Sequence, residues 1–286
     1  MFPNQFDYRK PSSVQEAIAI LSGDPDAKIL AGGHSLLPAM KLRLASPSTL
    51  VDLGGVKGLK GISVNGGAKI GAMTTYAEIR DSKELAKAFP LLAEVANNVG
   101  DAQVQNKGTL GGALAHSDPA ADFTAVVLAM GGSVKAVGPK GERTISADDL
   151  FVDLMTTSLA ADEVLTEVSL PGRAGKTGMA YEKVHHPASG YAVVGVAVVI
   201  PTGTDGVPDS VRVAVTGATS KATRATAAEK VLSGKKLTAE NIAAAADAVA
   251  DGLELNGDHY ASAGFRRQLL KVHAKRAIER AAAQVS

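Results

Sequence analysis

Apolar positions along this chain switch between helical and strand spacing, and the switches outline its elements. Val14, Ala17, Ile18 and Leu21 share one helical face. Ser13 stands before them as an N-cap, with Glu16 at the capping-box spacing. Gly23-Asp24-Pro25-Asp26 ends that helix. Residues 27–31, which include KILA, predict a short buried strand. A Gly-Gly turn then leads into a helix carrying Leu36, Leu37, Met40 and Leu44, closed by Ser46-Pro47. Residues 49–53, TLVDL, predict another strand.

Gly54-Gly55 opens a new section. Residues 59–64 and 68–70 predict strands around Asn65-Gly66-Gly67, a hairpin turn. Residues 75–80 and 85–99 predict helices, the second with Leu91, Leu92, Val95 and Val99 as its apolar set. Residues 123–130 predict a buried helix that Gly131-Gly132 ends. Residues 133–137 and 142–145 form a hairpin about Gly138-Pro139-Lys140-Gly141, and residues 164–170 a strand stopped by Pro171-Gly172. Residues 171–178 are the linker. Beyond it come three strands (179–184, 192–200, 211–215) and three helices (221–232, 238–251, 262–284). In the last helix Phe265, Leu269, Val272 and Ile278 form the apolar stripe. Arg266, Arg267, Lys271, Lys275, Arg276 and Arg280 lie mostly off it, either solvated or facing an acidic partner. The division expected is 1–174, with parts of about 1–54 and 55–174, followed by 175–286.

Composition narrows the function. The net charge of +1 gives no electrostatic case for nucleic acid. The absence of cysteine removes disulfides, Cys-ligated zinc, iron–sulfur ligation and a thiol nucleophile. The first residues, MFPNQFDYRKPSS, lack the basic-then-apolar order of a signal peptide. The longest apolar run, from Tyr191 to Ile200, is too short to span a bilayer. Cytoplasmic residence is the default.

Two glycine-rich segments carry the candidate chemistry. In Ala31-Gly32-Gly33-His34-Ser35 a strand runs into Gly-Gly and a helix follows. Such a turn presents N–H donors without helical partners to an anion. Ser35 is placed either to cap the helix or to donate to a phosphate oxygen. A plain capped turn is the alternative. The segment is neither a P-loop nor a Rossmann GxGxxG. The second, Gly108-Thr109-Leu110-Gly111-Gly112, again reads as exposed backbone donors, with the Thr109 hydroxyl added. Asp118 and Asp122 follow. A carboxylate there either accepts from a ribose or ribityl hydroxyl or serves the helix from Phe123, Asp118 as cap and Asp122 in the first turn. Together the segments point to one large dinucleotide, read as FAD. His34 and His116 lie beside them, and no metal site is expected. His185 and His186 are adjacent, so they face opposite sides of a strand.

AGGHSLLP and NKGTLGGALAHSDPAADF, with FPxxFDYRKPSSVQEAIAIL before them and DHYASAGFRRQLL after, resemble the FAD-binding medium subunit of molybdenum hydroxylases. The likeness runs over essentially the whole chain and is nearest to the carbon monoxide dehydrogenase branch. It implies an α+β fold: a vanillyl-alcohol-oxidase-type (PCMH) FAD-binding domain of two subdomains, then a C-terminal α/β domain with a three-stranded sheet and helices. It implies Ala31, Gly32, Gly33, His34, Ser35 and Leu36 as the pyrophosphate loop, and Thr109, Gly111, Gly112 and Ala113 as the second FAD loop. Asp122 would serve the polyol, and Asp118 stands beside it as a cofactor-binding candidate. Leu165, Lys183 and Tyr191 would lie near the isoalloxazine, Lys183 at its N1/C2=O edge and Tyr191 stacked on the ring. The alternatives are an exposed edge-strand lysine and a strand-edge aromatic. Where many relatives have Arg and Asp, this chain has His185-His186-Pro187-Ala188-Ser189-Gly190-Tyr191.

The resemblance further implies non-covalent FAD and no catalytic side chain or metal on this chain. A large partner would carry molybdenum and molybdopterin, and a small one the [2Fe–2S] clusters, in a dimer of heterotrimers. Electrons would pass from the clusters to FAD and on to an acceptor such as quinone, with the complex cytoplasmic or at the inner face of the membrane. Carbon monoxide is the favoured substrate of the complex, with purines and N-heterocycles as alternatives. Two other readings stand beside this one: a stand-alone flavin oxidase with FAD attached through His34, and a non-enzymatic nucleotide-binding or scaffold protein.

Overall fold

The chain begins with β1 (Asp7–Arg9), α1 (Val14–Gly23), β2 (Lys28–Leu30), α2 (Leu36–Lys41) and β3 (Thr49–Asp52) in the computed structural model, which describes residues 1–173, 175–203 and 206–285. The three strands form a parallel sheet ordered β1-β3-β2. Ser13 caps α1 by accepting from the Glu16 amide. The Glu16 carboxylate turns instead to the amide and hydroxyl of Ser12, so the reciprocal bond sits one residue early. Ala17, Ile18 and Leu21 are buried, as their spacing predicts. The helix expected through Leu44 is shorter. Arg43 takes a left-handed φ of 59°, which unwinds the chain and leaves Leu44 79 % exposed.

Next come β4 (Ile62–Asn65), β5 (Gly67–Gly71), α3 (Tyr76–Asp81), α4 (Lys83–Ala88), α5 (Pro90–Asn98), α6 (Ala102–Lys107), α7 (Leu110–His116) and α8 (Asp122–Ala129). β6 (Ser133–Gly138), β7 (Gly141–Ser146), α9 (Ala147–Leu150), β8 (Phe151–Asp153), β9 (Thr156–Thr157) and β10 (Val164–Leu170) complete this part. Its antiparallel sheet runs β4-β5-β10-β6-β7. The single helix expected over 85–99 is two. Pro90 has no N–H to continue α4 and instead starts α5 at its N1 position. Neither α6 nor α7 was anticipated, because glycines on both sides of Thr109 read as loop.

The last part holds β11 (Thr177–His185), β12 (Ala192–Pro201), β13 (Arg212–Thr216), β14 (Thr223–Arg224), α10 (Thr226–Leu232), α11 (Ala239–Asp247) and α12 (Ala263–Ala282). The expected three-stranded sheet has four strands, ordered β11-β12-β13-β14. β14 pairs only Thr223 and Arg224 with β13, too short a run to show a period. The expected α12 stripe also needs correction. Leu270, Ala274, Ala277, Ile278 and Ala281 are its buried residues, while Phe265 and Val272 are 51 % and 47 % exposed. The cause is close approach: a Cβ on Gly178 of β11 would overlap the Ala281 carbonyl. Alanines fit that gap and bulky side chains do not. Arg266, read as off the stripe, is buried and donates to Asp258 and to the carbonyls of Val193 and Gly217.

α8 joins the two parts. All eight of its residues are buried. One continuous core runs from its apolar residues and the β4–β10 sheet to Ala197 and Val199 of β12 and Ala214 of β13. The boundary residue expected from sequence, Ala174, lies outside the described residues, as does the final Ser286.

Candidate functional site

A cleft of about 490 Å³ opens where β2 and α2, the α6–α8 stretch and the β11–β12 loop converge. That volume suits a cofactor-sized ligand. The first glycine segment forms one wall. Gly33 has φ +74°, a left-handed turn that favours glycine. The amides of Gly33, His34, Ser35 and Leu36 donate to no acceptor among the described residues. The residues of this turn line the cleft. Consecutive unpaired amides facing a cavity form a concave anion cradle. α2 is six residues long and Ser35 makes no side-chain capping bond, so the amides themselves rather than a long helix dipole supply the attraction. Gly32 has a different duty: a Cβ there would overlap the Lys107 carbonyl, so the two glycine segments press backbone to backbone.

The second segment departs from its expected role. Its amides are not bare. Leu110 donates to Thr74 at 3.0 Å, Gly111 to Ala72 at 2.9 Å, and Gly112 to the Thr109 hydroxyl at 3.1 Å. Thr109 is thereby the N-cap of α7. A Cβ on Gly108 or Gly111 would come within 2.5 Å of Tyr76 or Ala72 respectively. These glycines let α7 lie against the segment after β5. What they offer the cleft is a thin wall, formed by Thr109, Gly111, Gly112 and Ala113. The Thr109 hydroxyl proton stays available, because the cap uses only a lone pair.

Asp118 and Asp122 both line the cleft. Asp118 accepts from the Ala120 amide at 2.8 Å, holding the turn through Pro119. The N-cap of α8 is Ala121, so Asp118 does not cap that helix. Asp122 accepts from the Tyr181 hydroxyl at 2.6 Å and from Lys183 Nζ at 2.9 Å. Burial pushes the Asp122 carboxyl above its ordinary value, and Lys183 and Tyr181 pull it back. Lys183 is thus neither an exposed edge-strand lysine nor part of the cleft wall. It is the buried counter-ion of Asp122, reaching from β11 to α8. Leu165 and Tyr191 do line the cleft. Tyr191 is 42 % exposed at its mouth. Its phenol is pushed up by burial and by Asp118, and the Ser35 hydroxyl draws it back. The β11–β12 loop of the C-terminal part therefore lines the same cleft as the first glycine segment.

His34 and His116 both line the cleft, and His34 Nδ1 lies 3.0 Å from the Gly32 carbonyl. No group of three metal-ligating side chains occurs among the described residues. Sequence reasoning missed the apolar floor, where Met73, Tyr76, Val104 and Phe123 line the cleft. Tyr76 and Phe123 stack at 5.1 Å. These residues carry the same signal as any core position. The arrangement suits a dinucleotide with a flat apolar end: an amide cradle for phosphates, carboxylates beside it for hydroxyls, and an aromatic at the mouth. The residues present fit FAD.

Comparison with known proteins agrees. Residues 4–173 match the FAD binding domain in molybdopterin dehydrogenase, and residues 179–281 match the CO dehydrogenase flavoprotein C-terminal domain. The nicotine 6-hydroxylase medium subunit of Paenarthrobacter nicotinovorans is 42 % identical, over 97 % of each chain. The carbon monoxide dehydrogenase medium chain of Hydrogenophaga pseudoflava is 39 % identical, over 98 % of each. A solved structure of carbon monoxide dehydrogenase from that organism, lacking the Mo-pyranopterin moiety of its cofactor, superimposes with a TM-score of 0.96 at 40 % identity over the full length of both chains. With matched domains in the matched order over nearly its whole length, the chain belongs to the FAD-binding medium subunits of the molybdenum hydroxylases, as an FAD-dependent oxidoreductase subunit.

Proposed function

We propose that this chain is an electron relay within a larger molybdenum hydroxylase. The observation that carries the reading is the run of unpaired amides from Gly33 to Leu36, open to the cleft. Those amides would hold the FAD pyrophosphate, with Thr109 donating from the facing wall. Asp118 would accept from the polyol hydroxyls, and Asp122, fixed by Lys183 and Tyr181, would set the wall beside them. Leu165 and Tyr191 would flank the flavin ring. When bound, FAD supplies the ability to take electrons singly from [2Fe–2S] clusters and pass them on to a carrier such as quinone. No side chain need act as acid, base or nucleophile.

The partners in this reading are a large molybdopterin subunit and a small iron–sulfur subunit, in a dimer of heterotrimers in the cytoplasm. The 1–174 and 175–286 division remains part of the proposal. Among the described residues no helix is long and apolar enough to cross a membrane, and the structure gives no support to attachment at its inner face. Substrate chemistry belongs to the large partner. Relatives at 42 % and 39 % identity are named for nicotine and for carbon monoxide, so overall likeness does not separate an N-heterocycle from CO. The test is to compare the chain alone with the chain co-purified with both partners, offering each CO and a nicotine-like heterocycle. Bleaching of the flavin only in the complex supports the relay. Bleaching in the chain alone refutes it in favour of a stand-alone oxidase, and no flavin in either preparation refutes it in favour of a scaffold.

A further inference from the structure

A second cavity, of about 390 Å³, lies away from the flavin cleft. It sits where the β4–β5 turn, the α4–α5 junction and the start of β11 meet. Val64, Phe89 and Met179 give it apolar walls. Lys87 and Arg173 bring two cations to it, and no carboxylate lines it among the described residues. Arg173 donates from Nη2 to the Met130 carbonyl at 2.7 Å, while its Nε is buried without a partner. The Thr177 hydroxyl is buried without a partner as well.

Arg173 is out of pattern. Of the arginines that are not exposed, Arg80, Arg212, Arg224 and Arg266 each meet a carboxylate. Arg173 meets none among the described residues. Burial and the nearby Arg212 hold its guanidinium below its ordinary value, and its hydrogen-bond acceptor is the neutral Met130 carbonyl rather than a carboxylate. A half-buried cation without a counter-ion is costly, and a guanidinium is shaped to grip an oxyanion with two parallel N–H bonds. α5, nine residues long and without a side-chain cap, starts at Pro90 on the same cavity and adds the positive end of its dipole.

We propose that this cavity binds a small-molecule oxyanion, a phosphate or carboxylate, gripped by Arg173 and Thr177 with Lys87 beside them. The ligand would tie the β4–β5 turn to β11, across the joint between the two parts of the chain. The test uses the full chain saturated with FAD, which fills the amide cradle. Inorganic phosphate and, separately, acetate are titrated by calorimetry at an ionic strength held constant with chloride. The expected result is one saturable site with a dissociation constant of roughly a millimolar or below. Arg173→Met should weaken it at least about tenfold with the flavin spectrum unchanged, and Thr177→Val should weaken it severalfold. Binding of phosphate alone identifies a phosphate-bearing ligand, and of acetate alone a carboxylate. Saturable binding of neither ion overturns the proposal, as does an affinity left unchanged by Arg173→Met. Should that variant not fold, Thr177→Val and Lys87→Ala decide: a weaker affinity in either supports the site, and no change in both overturns it.

Discussion

Removing one member of the Asp122–Lys183 pair should cost far more than removing both. The two side chains are 5 % and 4 % exposed, with 2.9 Å between the charged atoms, so solvent screens little of the interaction. Lys183→Met keeps most of the stem but strands the carboxylate, with the Tyr181 hydroxyl at 2.6 Å as its remaining side-chain donor. Breaking one side of a buried pair costs about 3–5 kcal/mol. The tyrosine offsets on the order of 1 kcal/mol, leaving a loss of about 2–4 kcal/mol at neutral pH. Asp122→Asn removes the counter-charge and leaves Lys183 only neutral acceptors, the amide oxygen put in its place and the Asn98 carbonyl at 3.5 Å, for about 3–5 kcal/mol. The double variant buries no net charge and keeps an acceptor for Tyr181, so it should lose no more than roughly 2 kcal/mol. Urea unfolding followed by circular dichroism suits a chain that has no tryptophan. The shared α8 core predicts one transition. Without Lys183 the buried carboxyl moves further above its unfolded value. A raised acid gives its stability below the unfolded pKa and loses it as pH rises through the folded one. The Lys183→Met deficit should therefore shrink toward acid pH and grow as pH rises from the unfolded carboxyl value through the raised folded one. Additive single effects, each below about 1 kcal/mol, with no such pH trend would refute the burial argument.

Gly32→Ala should push the two glycine segments apart at the Lys107 carbonyl, costing about 1–3 kcal/mol by overpacking; thermal unfolding and FAD titration should show losses in stability and affinity together. Thr109→Val removes the α7 cap and orphans the Gly112 amide, for about 1 kcal/mol in chemical denaturation. Acid precipitation of wild type should leave all the flavin in the supernatant, and His34→Ala should still bind it; yellow protein in the wild-type pellet would show attachment through His34 instead.

Where side chains alternate against turn residues, the chain could be read directly. The strand expected at 164–170 is β10 with the same bounds, and the hairpin about Pro139 is β6–β7. Contacts made by backbone could not be read. The glycines around Thr109 suggested an open loop, yet they serve the close packing of a helix start against Ala72 and Tyr76. In α12 the large apolar residues drew the stripe to Phe265 and Val272, whereas alanines line its buried face. Of the expected site residues, those in the two glycine segments, both aspartates, Leu165 and Tyr191 converge on one cleft. Lys183 does not, because its partner is a carboxylate 61 positions away that no local pattern reveals.

In the proposed function the Gly33–Leu36 amides hold the phosphates of FAD. The most direct measurement is a titration of flavin-free chain with FAD and with riboflavin, followed by flavin fluorescence. The expected result is one FAD per chain and riboflavin binding weaker by at least about a hundredfold, the loss of two charge-assisted contacts. Equal affinity for the two flavins would contradict it.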